Sequence, residues 1–570
     1  MRLPALLCLV LLLAGCAACD NLPDYSASAG QDLPATWYDA VISARDGTRL
    51  SATVFQPALK AGETAPLIVH THGWGGWRVT GPEGFYGKNM MSGRAALKAW
   101  KAGYWVLSYD QRGWGGSDGR IEMMDPRFEV SDASAVIDWA AAHLPRLRRD
   151  GPGDPRVGML GESYGGAVQL LAASEDPRID AIVPIATWYD LSDALAPGGQ
   201  LKMGWGGVLL GLGIATGYDL GKFAQADYLH SASGRMAEPV RAELAAHSLA
   251  RYCAEGRRPH ADALLIQGLR DTLFPLDQGL QIRQCLRQGS ADVRLLGMQG
   301  GHILPPPLQA WSGLPPFNNE PVIHCGGRAI DLYQGILAWY EEKLRQRPGA
   351  ADSVPSLCVS LDLDQGLALD ELPAPGPVVS LPPTPVRPVS SGLLQPRTFI
   401  PLQQVAEPSA LLGSAEIRLA RPLGPGDQAL LFASLAIRGA DGRTRALDEQ
   451  VKPLLNQGAT RLNAVSASLA AGDEIGLLVS GFSGQYLFNG SWKFAAVDLQ
   501  GAVQLPALLP LQPRLAAGRG ISATARRAPR PAGPAASARR RRPPAAAPTV
   551  PCGPGGGGSG APGCPAAAAP

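Results

Sequence analysis

Between residues 37 and 345, short apolar runs alternate with longer stretches of helical period. That is the pattern of a parallel sheet covered by helices on both faces, in which buried strands read as continuous hydrophobic runs. The runs Pro66–His70, Tyr104–Tyr109, Val157–Leu160, Ala181–Ile185, Ala263–Gln267 and Val293–Leu296 predict strands, and Met91–Lys101, Val130–His143 and Gly166–Ala173 predict helices between them. An alternating stretch over Ala40–Phe55, broken at Asp46-Gly47, predicts a β-hairpin ahead of the sheet. From about 190 to 255 the alternation stops, and Leu195–Gly217 is apolar and rich in glycine. An insertion at that point, between two late strands, is expected to form a cap over a site on the sheet.

After Leu344 the pattern changes again. Residues 350–400 are dominated by Pro, Leu, Ser and Val, and the repeated prolines forbid long helices. Short alternating runs follow at Ala415–Leu419, Ala429–Ile437, Thr460–Ser468, Glu474–Val479 and Trp492–Val497, separated by turn signals such as Ala440-Asp441-Gly442. Residues 346–505 therefore read as an all-β sandwich. Residues 514–570 consist mostly of Ala, Pro, Gly and Arg, cannot bury enough surface to offset chain entropy, and are expected to be disordered.

Charge alters this picture little. The formal charge is +2, but nine arginines and no acid or lysine lie after residue 513. Taking those nine from the total leaves −7 on residues 1–513, which argues against a nucleic-acid groove. With 46% hydrophobic and 18% charged residues in a chain of 570, one globular domain plus a second is the natural expectation.

The first residues read as an address. An apolar run from Leu6 to Leu13 is too short to span a bilayer but fits a signal peptide, here residues 1–19. It ends in Leu13-Ala14-Gly15-Cys16, which resembles the lipobox of bacterial lipoproteins. That resemblance implies lipidation of Cys16 and attachment to a membrane of the cell envelope through a tether over residues 20–36, whereas a plain leader cut at Ala14 to Ala18 gives a soluble exported product. Four cysteines belong to the body of the chain: Cys253, Cys285, Cys325 and Cys358. In an oxidising compartment they suit two disulfides with three pairings open. The four cysteines of the body form no Cys-x-x-Cys that would indicate a metal, and no cofactor is implied.

The candidate chemistry centres on Gly161-Glu162-Ser163-Tyr164-Gly165-Gly166. A serine on a strained strand-to-helix turn, with glycine two residues to either side, projects its hydroxyl off the sheet and aims the next amide at a developing oxyanion. Gly115-Gly116-Ser117-Asp118-Gly119 has the same spacing but follows its strand at a distance and opens no helix, so Ser163 is the expected nucleophile. A serine hydroxyl needs a base, and the base an orienting acid. His302, in Gly300-Gly301-His302 after the strand Val293–Leu296, is the expected base, with His324 as rival. Asp271, after Ala263–Gln267, is the expected acid, with Asp277 as runner-up. The expected oxyanion donors are the backbone amides of Tyr164 and, in His72-Gly73-Trp74-Gly75-Gly76, of Trp74. His70 and His72 read as structural rather than metal-binding.

Together, His72-Gly73, Tyr109-Asp110-Gln111-Arg112-Gly113, Gly161–Gly166, Asp271 and Gly301-His302 resemble an α/β-hydrolase. The Gly-x-Ser-Tyr-Gly-Gly turn followed by a β domain is similar to the Xaa-Pro dipeptidyl-peptidase and cocaine esterase family, over about residues 40–505. The resemblance implies a doubly wound α/β-hydrolase sheet, a C-terminal domain like a jelly roll, and a serine hydrolase cleaving carboxylic esters or Xaa-Pro peptide bonds through an acyl-enzyme. Some members of that family place a tyrosine hydroxyl in the oxyanion hole just after the first central strand, but His-Thr-His-Gly-Trp stands there in this chain. The alternative is a catalytically silent envelope lipoprotein whose β domain binds glycans or proteins.

Overall fold

The computed structural model describes residues 30–216, 222, 225–231, 233–289, 292–304, 321–389, 397–424, 431–456, 458–487 and 493–511. Cys16, the leader, most of the tether and the tail from 514 lie outside the described residues.

One ten-stranded sheet organises the first two-thirds of the chain. Its strands are β1 (Thr36–Ser43), β2 (Arg49–Gln56), β3 (Leu67–Thr71), β4 (Trp105–Tyr109), β5 (Val157–Glu162), β6 (Ile179–Ile185), β7 (Asp262–Gly268), β8 (Val293–Met298), β9 (Leu357–Ser360) and β10 (Gly366–Leu369). The spatial order is β1-β2-β4-β3-β5-β6-β7-β8-β9-β10. β1–β2 is the antiparallel hairpin, and the strands from β4 through β9 run parallel. Alternate residues of the buried runs serve two different cores: Leu67 and Val69 of β3 join one, Ile68 the other. The first core is closed by α2 (Ser131–His143) and α3 (Tyr164–Glu175), the second by α1 (Met91–Lys101) and α10 (Leu332–Lys343). A strand covered on both faces has no polar side, which is why these runs read as uninterrupted hydrophobics.

The insertion after β6 is helical: α4 (Leu191–Leu195), α5 (Met203–Thr216), α6 (Ala226–Ser231), α7 (Glu238–Ala246) and α8 (Leu249–Ala254) precede β7, and α9 (Leu276–Leu286) follows it. α5 has no charged side chain in its 14 residues. Among the described residues, no helix is long and apolar enough to cross a membrane.

Composition set the end of the sheet domain at residue 345, but the sheet continues through β9 and β10 to Leu369. β9 carries Cys358, bonded to Cys325 of the small hairpin Val322–Asp331, and its Leu357 and Val359 fill the first core. The other bridge, Cys253–Cys285, joins α8 to α9. The antiparallel β region proper starts at Val378 and ends with the strand Ala507–Pro510. Its three sheets share one core, with Leu381, Leu411 and Leu435 contributed one from each sheet. The expected strand Thr460–Ser468 is two, Ala459–Arg461 and Val465–Leu469, in different sheets. Between them Asn463 and Ala464 turn inward to bond Gln450 and Asp277. The expected strand Trp492–Val497 starts only at Val497, and residues 488–492 lie outside the described residues.

Candidate active site

β5 ends at Glu162 and α3 starts at Tyr164, so Ser163 alone makes the turn, at φ 56° and ψ −119°. This conformation is rare for a residue with a side chain and persists only where packing enforces it. The Ser163 amide is held by the Ile185 carbonyl at 2.8 Å. Glycines flank the turn because nothing larger fits: a Cβ on Gly161 would lie 2.2 Å from Thr71 Oγ1, and one on Gly165 would lie 2.5 Å from the Thr71 carbonyl oxygen.

Ser117, which shares the motif spacing, is otherwise employed. Its hydroxyl donates to the Asp110 carbonyl at 2.6 Å and accepts the Ser51 amide at 2.8 Å, tying a loop to β2.

The expected acid and base, Asp271 and His302, come together from the ends of β7 and β8. His302 Nδ1 lies 2.6 Å from Asp271 Oδ2, while Asp271 Oδ1 accepts the amides of Leu273 and Phe274 at 3.0 and 2.6 Å. Gly301 sits at φ +120° with its Cα against Asp271, where a Cβ would lie 2.5 Å from the Asp271 Cβ. Burial opposes the charged form of His302, but the charge and hydrogen bond of Asp271, helped by Glu162, outweigh it and raise the pKa. Glu162, the chain neighbour of Ser163, adds to that rise. Phe274 stands between His302 and the serine turn: its ring centroid is 5.2 Å from that of His302, and it lines the same cavity as Ser163. The rivals serve elsewhere. His324 Nδ1 bonds the Leu363 carbonyl, and Asp277 takes the Ser414 hydroxyl and the Ala464 amide.

After β3, the Trp74 ring lines the cavity and packs on Trp114 and Tyr164, with centroids at 4.8 and 5.6 Å. The neighbouring Gly73 amide donates to the Tyr86 hydroxyl at 2.7 Å, and that hydroxyl donates to Glu162 Oε1 at 2.8 Å. A tyrosine thus does reach this turn, from 13 residues downstream, where no local pattern announces it. His70 bonds Ser108 and Ser92, and His72 bonds Gly73 and Gln111, so both are structural; no metal-ligand cluster occurs among the described residues.

Two further buried groups escaped sequence reasoning. Lys202, leading into α5, donates from Nζ to the carbonyls of Thr272 and Leu273 at 2.8 and 3.0 Å, and burial lowers its pKa to about 7. Glu129 accepts the Tyr164 hydroxyl at 3.1 Å and the Glu122 amide at 2.6 Å. Burial raises its pKa to about 7, and its Oε2 has no hydrogen-bond partner among the described residues.

The cavity at Ser163 has a volume of about 420 Å³. The cap supplies most of its wall, including Leu195, Met203, Leu209, Met236 and Val240, and among the described residues no charged side chain lines it.

A ten-stranded, mostly parallel sheet with a serine turn at the end of a central strand and an Asp-His pair after β7 and β8 is the architecture of an α/β-hydrolase. Residues 46–304 match the sequence profile of the family described as X-Pro dipeptidyl-peptidase (S15 family). The chain resembles that family. In three dimensions it is similar to an aminopeptidase of a marine-sediment Thaumarchaeota archaeon, with a TM-score of 0.59, 13% identity and coverage of 86% of this chain and 98% of that one. A CocE/NonD family hydrolase of Staphylococcus aureus gives 0.52, 12%, 84% and 97%, and an α-amino acid ester hydrolase 0.52, 15%, 86% and 99%. At these identities the likeness is one of fold. Among curated proteins, an uncharacterised 31.7 kDa protein of Escherichia coli is 30% identical over 133 residues, 23% of this chain and 41% of its own length. The quorum-quenching protein AidA of Acinetobacter baumannii is 29% identical over 158 residues, 27% of this chain and 46% of its own. The chain thus spans less than half the length of these relatives.

Proposed function

We propose that the chain is a carboxylic ester hydrolase acting through an acyl-enzyme on Ser163. His302 takes the serine proton as Oγ attacks the ester carbonyl, and Asp271 holds the imidazole in the required tautomer and stabilises its charged form. The oxyanion is received by the amides of Tyr164 and Trp74. Collapse of the tetrahedral intermediate expels the alcohol with the proton from His302, and water, activated by the same imidazole, releases the acid.

The observation that favours esters over Xaa-Pro peptides is the apolar lining of the cavity at Ser163, uncharged among the described residues. A dipeptidyl-peptidase must bind a free α-ammonium group, and burying that charge without a carboxylate costs several kcal/mol. An apolar acyl chain meets no such penalty and gains roughly 0.8 kcal/mol for each methylene buried. Short to medium nitrophenyl esters should therefore be cleaved, with kcat/KM rising from acetate towards octanoate, while Xaa-Pro anilides are not. Ser163→Ala should lower kcat by about 10⁵-fold with the fold intact. Turnover insensitive to that substitution would refute the assignment.

The lipobox and the two disulfides together support export and attachment through lipidated Cys16. Metabolic labelling with a radioactive fatty acid, lost in Cys16→Ala, tests this.

A further inference from the structure

We propose that Glu449 and Gln450 of the C-terminal β domain are positioning residues for the catalytic acid, clamping the loop that carries Asp271 from outside the hydrolase sheet. The inference rests on the reading of Asp271 and His302 as a catalytic pair.

Arg270, immediately before Asp271, forms a two-pronged ion pair with Glu449, Nε to Oε2 at 2.7 Å and Nη2 to Oε1 at 2.6 Å. Both side chains are only 2% exposed. Beside this pair, Gln450 Nε2 donates to the carbonyls of Leu269 and Asp271, each at 3.0 Å. The carbonyls on either side of Arg270 are thus held by one amide, and its side chain by one carboxylate. The amide is itself oriented: Asn463 Nδ2 donates to Gln450 Oε1 at 2.9 Å. The Glu449 carbonyl accepts Gln485 Nε2 at 2.8 Å, and Asp448 Oδ2 accepts the Ser466 amide at 2.7 Å. Asp448 and Glu449 are consecutive residues at φ 50° and 53°, a left-handed conformation unfavourable for both.

Buried ion pairs are weak contributors to stability, because desolvation offsets their attraction, and strained backbone is likewise unfavourable. The chain combines both at the place where the β domain meets the acid loop. Strain of this kind persists where the surroundings over-determine it, and it clusters at functional sites. The consequence is local. The Asp271 carboxylate is bound to a backbone with its carbonyl fixed by Gln450, its following amides fixed by its own Oδ1, and Thr272 N donating to the His302 carbonyl at 2.9 Å. A small tilt of this loop lengthens the 2.6 Å contact to His302. Asp271 and Glu162 are the charged groups that bear on His302, and Lys202, Arg270 and Glu449 lie around the acid loop from the cap, the loop itself and the β domain.

The test uses full-length protein, a soluble short-chain ester, and kcat and KM across pH, with thermal melting as the control for folding. Gln450→Leu and the paired Arg270→Met/Glu449→Met are each expected to lower kcat at least tenfold. KM should stay within twofold, and the acid limb of the kcat/KM profile should move to lower pH as His302 loses support from Asp271. Should either variant fail to fold, Asn463→Ala decides, since it leaves the ion pair intact and frees only the Gln450 amide; the same changes are expected in smaller size. A folded variant with parental kcat and an unmoved acid limb overturns the proposal, because an attachment that merely joins two domains changes melting alone. Asp271→Asn is measured in parallel. If it too leaves kcat and the limb unchanged, the catalytic pair is misassigned; if it acts and the β-domain variants do not, only the clamp falls.

Discussion

At the scale of single residues, two groups have their protonation displaced in the same direction for different reasons. In the proposed mechanism His302 works as a base only when neutral, and its pKa is raised by Asp271 and Glu162 against the effect of desolvation. The neutral form therefore appears at higher pH than in a free imidazole, and the acid limb of kcat/KM should lie above about pH 6.5. In Asp271→Asn the limb should fall, and kcat should drop by about 10⁴-fold as the tautomer is lost. Glu129 is raised to about 7 chiefly by burial. Between the unfolded carboxyl value and pH 7, folding takes up a proton at this site, so its contribution is complete at acid pH and declines as pH rises through 7. Glu129→Gln keeps an oxygen for Tyr164 and the Glu122 amide but cannot ionise. From pH 5 to pH 8, denaturant midpoints should shift in the variant's favour by about 3 kcal/mol. The Ser163 turn and the Asp271–His302 pair, on which the proposed mechanism rests, were legible because glycines and chain order mark them. Tyr86, Lys202 and Glu129 carry no such mark, since an isolated Tyr, Lys or Glu has the same local pattern on a surface or in a core.

At the scale of elements, the cap and the sheet divide the work. The sheet ends place the reacting groups, while the cap decides what reaches them. Met236, 9% exposed and lining the cavity, can be enlarged without touching the serine turn. Met236→Trp is expected to reduce kcat/KM for octanoate at least tenfold relative to acetate, which a paired assay on the two esters reads directly. Unchanged discrimination would show that the acyl chain lies elsewhere. Strand positions were readable because the buried runs alternate between two cores and so remain apolar throughout. The division of Thr460–Ser468 into two strands was not, because it depends on side-chain acceptors outside the segment, Gln450 and the far-distant Asp277.

At the scale of the molecule, each of the two disulfides closes a loop of just over thirty residues, with separations of 32 and 33. Closing such a loop removes freedom from the unfolded chain worth about 3–4 kcal/mol per bridge. Cys253→Ser/Cys285→Ser and Cys325→Ser/Cys358→Ser should each lower the melting temperature, whereas reductant should lower the parent protein further and the variants less. The cysteine count left three pairings open because spacing alone says nothing of which loops meet. The boundary drawn at residue 345 failed for a related reason: β9 and β10 follow a break in composition yet complete the sheet's hydrogen bonds and its first core.

By itself the sequence determined most elements of the sheet domain and the turn at Ser163, because hydrophobic period and glycine placement act within a few residues and need no partner. Only the tertiary structure decided which groups surround them: the Asp271–His302 contact, the uncharged wall of the cavity, and the grip of Glu449 and Gln450 on the acid loop. Those depend on contacts between segments up to 181 residues apart, and a buried charge or amide acquires its meaning from the partner that desolvation obliges it to find.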